Sequence, residues 1–454
     1  MSSLVLDRPT EPFGWYTVNP YPRPFPPLLT PPPLPSLLPD LPSPPRAPTA
    51  VSQTYLLSQH IIPAAYPRVA PVTTTPLEPA PAPDAGREER MKVNGRRADA
   101  IVSAQRAHGE ALTPLGAGDT RVHWTCVNRY VNRGPGAGRG MGVTLLLAHG
   151  TGLPKETWEP TLQHLFADPG AQIDEVWALD AVQHGDSALL NKNVLSETFD
   201  WIDNARDILN FVVHYLPAIA RSDPLPLHLP RVPAAEAARR ETDGIPTRTL
   251  VSIGHSFGGA CSFAAVVNYP ALFSALVLVD PIILRATPGY DRWPHRRAAA
   301  LQTLQRRAHW PSASAARAAL AASRFYRTWH PAVLDAYLEH GLYPANGGGV
   351  ALKTTPAQEA AVFAEGYLPL EAYEQLDRLD ARVALLWVLP GPGEDGLDGL
   401  EGLRARVWRR TENTAHVRLA GAGHSIPQEH PGELARELKS FLQQKYGKTD
   451  KPRL

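Results

Sequence analysis

Thr249-Leu250-Val251-Ser252-Ile253-Gly254-His255-Ser256-Phe257-Gly258-Gly259 runs from an apolar strand through a tight turn into a helix of small residues. Thr249 to Ile253 is short, β-branched and apolar, the composition of a strand buried on both faces. Gly254-His255-Ser256-Phe257-Gly258 fits G-x-S-x-G. A strand that turns at once into a helix leaves no room for side chains at the flanking positions, so glycines sit there. The turn lifts the serine hydroxyl above the sheet edge, at the positive end of the helix. Ser256 therefore reads as a nucleophile. The plainer alternative is an ordinary Gly-rich βα turn.

The same alternation extends outward. Val143-Thr144-Leu145-Leu146-Leu147-Ala148, Val176-Trp177-Ala178-Leu179, Ala275-Leu276-Val277-Leu278-Val279, Val383-Ala384-Leu385-Leu386-Trp387-Val388 and His416-Val417-Arg418-Leu419 are further short apolar runs. Helical patterns intervene at 155–167, 199–216, 257–269 and 431–445. Strands that alternate with helices predict an α/β fold with a mostly parallel central sheet and helices on both faces. Its core falls over 91–281 and 382–446, with Val122 to Val131 as a further strand leading into the Gly-rich turn Gly134 to Gly142. Residues 217–248, rich in Pro, Ala and Arg, read as a surface insertion. Residues 282–381 carry helical patterns without a convincing strand and read as a helical cap. Its Trp293, Trp310, Phe325, Tyr326, Trp329 and Tyr337 either line an acyl pocket or pack the cap helices together.

Charges nearly cancel over the whole chain. Lys plus Arg number 45 against 44 Asp plus Glu, which gives no electrostatic case for a nucleic-acid partner. The 48 prolines crowd the N-terminus, so residues 1–90 read as a Pro-rich disordered leader. The 2 cysteines, Cys126 and Cys261, make no disulfide framework. Neither a signal peptide nor a transmembrane segment is expected.

A serine hydroxyl needs a base. Gly421-Ala422-Gly423-His424-Ser425 follows the last apolar run, and chain order singles out His424 among 16 histidines. Two places offer the acid that orients it. One is Asp280, at the end of Leu278-Val279-Asp280-Pro281, whose other reading is a structural carboxylate at the start of the cap. The other is the loop Leu389 to Asp395, with Asp395 ahead of Glu394 as the candidate. Both remain open. His149-Gly150-Thr151-Gly152 follows the Val143 strand, so Thr151 and Phe257 are assigned the backbone N–H groups of an oxyanion hole. Asp180 to Ser187 reads as the floor beneath that loop.

The stretch His149-Gly150-Thr151-Gly152-Leu153-Pro154-Lys155-Glu156-Thr157-Trp158-Glu159-Pro160 resembles fungal α/β-hydrolases of the peroxisomal lipase and host-selective-toxin biosynthesis group. So do Trp177 to Asp180, His184 to Ser187, Asn191 and Ile253 to Gly259. The resemblance covers roughly 115–445. It implies the α/β-hydrolase fold and a serine hydrolase acting on a small ester or acyl substrate, without cofactor or metal. Acyl transfer or thioester cleavage could use the same site, and a hydrolase-fold binding protein without turnover is the alternative of another class. The Pro-rich loop near Glu394 departs from the simple turn of many relatives. The tail 447–454 is polar and ends Pro452-Arg453-Leu454, which resembles the peroxisomal tripeptide address with Pro in place of its small residue. An import receptor is the partner this implies, and a peroxisomal or cytoplasmic location.

Overall fold

The apolar runs form strands, in chain order β1 Tyr55–Pro63, β2 Trp124–Asn132, β3 Val143–Ala148, β4 Ile173–Leu179, β5 Thr249–His255, β6 Ala275–Val279, β7 His309–Trp310, β8 Leu342–Pro344, β9 Val350–Leu352, β10 Ala384–Leu389 and β11 Thr414–Arg418. The computed structural model describes residues 6–9, 23–73, 76–82, 85–111, 118–134, 142–168, 172–221, 223–396 and 398–447. One sheet has the order β1-β2-β4-β3-β5-β6-β10-β11. β2 is antiparallel to β1 and β4, and the other neighbours are parallel. Period two puts Val143, Leu145 and Leu147 into one buried cluster and Leu146 and Ala148 into the other. The first face is covered by helices Glu159–Phe166 and Pro431–Tyr446, through Leu162, Leu165, Leu434, Leu438 and Phe441. Helices Trp201–Asn210 and Phe257–Asn268 cover the second, through Ile208, Leu209, Phe263 and Val266. This is the mostly parallel, doubly covered α/β sheet expected from the sequence.

Strand order positions the chemistry. β5 and β6 pair in register up to His255↔Val279, and β10 pairs Val388↔Val279. The residues just beyond β5 and β6, Ser256 and Asp280, therefore emerge side by side at the C-terminal edge of the sheet. The loop after β11 returns from the far side of β10.

The reading of residues 1–90 as a disordered leader is corrected over their described part. β1 pairs with β2 along its whole length, Tyr55↔Asn132 to Pro63↔Trp124. Tyr55 to Ile62 is free of proline, and Pro63, which cannot donate to a ladder, ends the strand. Leu38 and Leu41 pack on Ile61, Trp124 and Cys126. Arg23 donates to Asp200 at 2.8 Å and to Glu371 at 3.0 Å, joining the Pro-rich segment to core and cap. Prolines flank these anchors without abolishing them. Within 217–248, helix Ala234–Asp243 turns Arg240 inward to donate to the carbonyls of Val212 at 3.0 Å and Leu216 at 2.8 Å. Upstream of that helix, Leu227 accepts the Ile61 N–H at 2.8 Å and His228 bridges Ile61, so this stretch lies along the outer edge of β1.

Residues 282–381 contain helices Trp293–Leu304, Ala313–Ala321, Pro331–His340, Pro356–Ala364 and Leu368–Gln375. They also contain strands, which corrects the all-helical reading: β7, β9 and β8 form a small antiparallel sheet. Two- and three-residue strands are too short to show a period. Trp310, Tyr326, Trp329 and Tyr337 are buried together with Val333 and Leu153. The Trp329 ring meets those of Tyr326 and Tyr337 edge to face, with Tyr326 and Trp329 centroids 4.8 Å apart. Of the two readings of these aromatics, packing of the cap fits these four. Phe325 stays exposed. Among the described residues no helix is long and apolar enough to cross a membrane.

Candidate active site

Ser256 sits between β5 and its helix with φ 56° and ψ −121°. A non-glycine residue held there costs of order 1–3 kcal/mol, which the surrounding packing must offset. The flanking glycines are required by close approach. A Cβ on Gly254 would lie 2.4 Å from the Gly258 carbonyl oxygen, and one on Gly258 would lie 2.4 Å from that of His149. Two backbone bonds fix the turn: Ser256 N–H donates to Val279 at 3.1 Å, and Ile282 N–H donates to the Ser256 carbonyl at 3.1 Å.

The loop after β11 brings His424 over this turn. Its Nε2 lies 2.9 Å from Ser256 Oγ and its Nδ1 lies 2.6 Å from Asp280 Oδ2. An ionised carboxylate only accepts, so Nδ1 carries the proton and Nε2 is free to accept from the hydroxyl. The Asp280 side chain is 4% exposed, whereas that of His424 is 46% exposed. Burial raises the Asp280 carboxyl. The hydrogen bond and charge of His424, with the Arg406 guanidinium 3.6 Å away, outweigh that effect and hold it below the usual carboxylate range.

Of the two acid candidates, the structure joins Asp280 to His424. Asp395 is turned away: Arg418, at the end of β11, donates to it at 2.6 Å and ties it to the neighbouring strand end. Glu394 is exposed. This corrects the loop pair as partners of the imidazole. The physical reason is local charge, since Arg418 lies beside that loop and claims the nearest carboxylate.

Thr151 lies on the loop after β3 and Phe257 at the start of the helix after β5, and the two segments meet. The Gly258 contact with His149 puts the start of the helix against the turn that carries Thr151. As the first residue of its helix, Phe257 has no intrahelical acceptor for its N–H. The Thr151 loop is pinned from below. Gly152 N–H donates to His184 Nε2 at 2.9 Å and Ala181 N–H donates to His149 Nε2 at 3.0 Å, while His149 Nδ1–H donates to the Gly150 carbonyl at 2.8 Å. Burial keeps both rings neutral, His149 pushed down to about 4 and His184 well below its ordinary value. Lys155 Nζ adds a buried clamp, 2.8 Å from Asp180 and 2.9 Å from Glu156. The segment Asp180 to Ser187 is thus the floor of the loop.

Two contributors escaped the sequence reading. Buried His255, pushed down to about 3 first by desolvation and then by His424, donates from Nε2 to the His424 carbonyl at 3.0 Å. Glu429 accepts the Gly423 N–H at 2.8 Å. Together they fix the backbone that bears the imidazole. His255 occupies the variable position before the serine, a signal available in the motif itself. A separate cavity of about 600 Å³ lies between the Pro-rich segment and the cap, lined by Ser43, Arg46, Glu156, Glu159, Asp186 and Lys353 among others. Its charges are paired, Arg46 with Glu159 at 2.8 Å and Lys353 with Asp186 at 2.6 Å, and neither Ser256 nor His424 lines it.

Comparison with known proteins bears on the fold and the family. A type I acyl-CoA thioesterase of Penicillium brevicompactum, mpaH', is 30% identical over 187 residues, 41% of this chain and 37% of its own. The peroxisomal membrane protein LPX1 of Saccharomyces cerevisiae is 34% identical over 145 residues, 31% of each chain. The chain thus spans about a third of the length of the curated relatives it matches. The solved peroxisomal alpha-beta-hydrolase Lpx1 of Saccharomyces cerevisiae shares the fold, with a TM-score of 0.61 at 18% identity over 88% of this chain and 92% of that one. The alpha/beta hydrolase family profile matches residues 145–437, a span that includes Ser256, Asp280 and His424, and the chain belongs to that family.

Proposed function

We propose that the protein is a serine hydrolase that cleaves the acyl bond of an ester or thioester. The observation that carries this reading is the continuous relay Ser256 Oγ, His424, Asp280, at 2.9 and 2.6 Å. His424 Nε2 takes the hydroxyl proton as Ser256 Oγ bonds to the acyl carbon. Asp280 holds the imidazole in the required tautomer and stabilises its cationic form. The N–H groups of Thr151 and Phe257 receive the developing oxyanion. The protonated imidazole then gives its proton to the leaving oxygen or sulfur, and the acyl-enzyme is hydrolysed by a water that His424 deprotonates. A thiolate leaving group is favoured by the likeness to a protein named as an acyl-CoA thioesterase. The substrate class is a small acyl molecule. A fluorophosphonate probe should label Ser256, and acyl-CoA should release free thiol faster than the matching oxygen ester is cleaved. Absence of labelling would favour a binding protein on the same fold, and preference for the oxygen ester would remove the thioester reading.

We also propose peroxisomal import, with a cytosolic pool. Pro452-Arg453-Leu454 lies outside the described residues, so the support is the sequence of the tail and the likeness to proteins described as peroxisomal. A fluorescent protein fused ahead of residues 443–454 should collect in peroxisomal puncta and disperse when Pro452-Arg453-Leu454 is deleted. A uniform cytosolic signal from the intact fusion removes the proposal.

A further inference from the structure

The cap touches the catalytic half of the molecule at one chemically conspicuous point. Gly152, beside Thr151, has φ +79°, and a Cβ built on it would lie 2.5 Å from Glu359 Oε1 and 2.8 Å from Glu359 Cδ. A carboxylate from cap helix Pro356–Ala364 therefore rests against the turn assigned to the oxyanion hole. The same stretch of cap reaches the core twice more. Gly185 N–H donates to Thr354 Oγ1 at 3.3 Å, and Lys353 Nζ donates to Asp186 at 2.6 Å.

A buried anion in this position opposes the reaction. Negative charge that develops on the substrate oxygen would meet negative charge already resident behind the loop, in a medium that screens poorly. One cation offsets it. Arg306, from the turn after helix Trp293–Leu304, is ion-paired with Glu359. Arg306 is in turn held by Tyr326 Oη at 2.6 Å and Tyr337 Oη at 3.2 Å, both members of the buried aromatic cluster of the cap. We infer that Arg306 and Glu359 are positioning residues that couple docking of the cap to the oxyanion hole: Glu359 packs the Thr151–Gly152 turn into place, and Arg306 neutralises it so that the hole still favours an anion. The inference rests on Ser256 being the nucleophile, and it assigns a catalytic consequence to a pair that touches neither substrate nor triad.

The test uses the full chain with Arg306→Gln, Arg306→Lys, Glu359→Gln and the double variant Arg306→Gln/Glu359→Gln. Hydrolysis of p-nitrophenyl butyrate is measured together with the melting temperature of each protein. Arg306→Gln leaves the carboxylate unpaired, and kcat should fall roughly tenfold or more while KM changes less than about threefold, since the loss is felt when the oxyanion forms. Arg306→Lys keeps the charge and should stay within about threefold of wild type. The double variant should recover the rate of Glu359→Gln although it has lost both charges. Arg306 is the charged group that faces Glu359; the Tyr326 and Tyr337 hydroxyls bear on Arg306, and the neutral His184 ring holds Gly152 from the core side. The rate of Arg306→Gln relative to wild type should accordingly decline as pH rises and the unpaired carboxyl ionises, whereas the ratio for the double variant should stay flat. A double variant as slow as Arg306→Gln, or rate losses that simply follow melting temperature, overturns the inference. If Arg306→Gln does not fold, Arg306→Lys and the double variant decide: loss of kcat in both, relative to Glu359→Gln, overturns it. Wild-type enzyme that neither turns over nor accepts a fluorophosphonate overturns the hydrolase reading and this one with it.

Discussion

Ser256→Ala should lose hydrolysis of a p-nitrophenyl ester by roughly four to six orders of magnitude in kcat and keep its melting temperature within about 3 °C. The two effects separate because of where the hydroxyl stands. Ser256 Oγ contributes one hydrogen bond, to an imidazole that is itself 46% exposed, so little folding energy depends on it. The turn is held by other groups: the backbone bonds from Ser256 to Val279 and from Ile282 to Ser256, and the closely approached glycines 254 and 258. Alanine at this positive φ suffers the same strain as serine, so the elbow keeps its shape with nothing to attack the acyl carbon. Hydrolysis undiminished in the purified variant would falsify the assignment.

Asp280→Asn should cost about four orders of magnitude in kcat, close to the effect of His424→Ala, while Asp395→Asn and Glu394→Gln stay near the wild-type rate. The amide can donate to Nδ1 and so favours the tautomer in which Nε2 carries the proton, which leaves Ser256 without a base. Stability should follow pH in a defined direction. The Asp280 carboxyl lies below its unfolded value in the native protein, so its contribution is present above about pH 4 and is lost as pH falls through the lower native value. The melting-temperature gap between wild type and Asp280→Asn should therefore be open at neutral pH and close in acid. A gap that widens on acidification, or an Asp395→Asn variant as slow as Asp280→Asn, contradicts this account.

Which parts of the site were legible in sequence follows from what each part requires. The elbow was legible because sterics alone dictate glycine on both sides of Ser256. His424 was legible because it follows the last strand. The acid was not, because Asp280 and Asp395 both follow strands, β6 and β10, that are neighbours in the sheet. What separates them is the side chain of Arg418, which belongs to a third strand. Composition misled at the N-terminus: prolines dominate residues 23–50, yet single residues such as Arg23, Leu38 and Leu41 make the contacts. The helix Arg87–Glu110 was missed for a related reason, since Val93, Ala98, Ile101 and Val102 form a thin buried stripe among charges. The Arg306–Glu359 pair was invisible because nothing local links residues 53 apart.

The outer edge of β1 bears on whether another chain can add a strand to the sheet. A terminal strand with unpaired N–H and C=O groups is a template on which another chain can add a strand, and repeated addition makes fibres. Here the Ile61 N–H is already given to Leu227 and the Leu57 N–H to Pro48, while Pro226 accepts from His60 at 2.8 Å. The covering segments are dense in proline, which has no N–H to offer an incoming strand. The residues that make the N-terminal composition look structureless thus terminate the hydrogen-bond ladder. The sheet stops at β1 because its last partner cannot pass the pattern on.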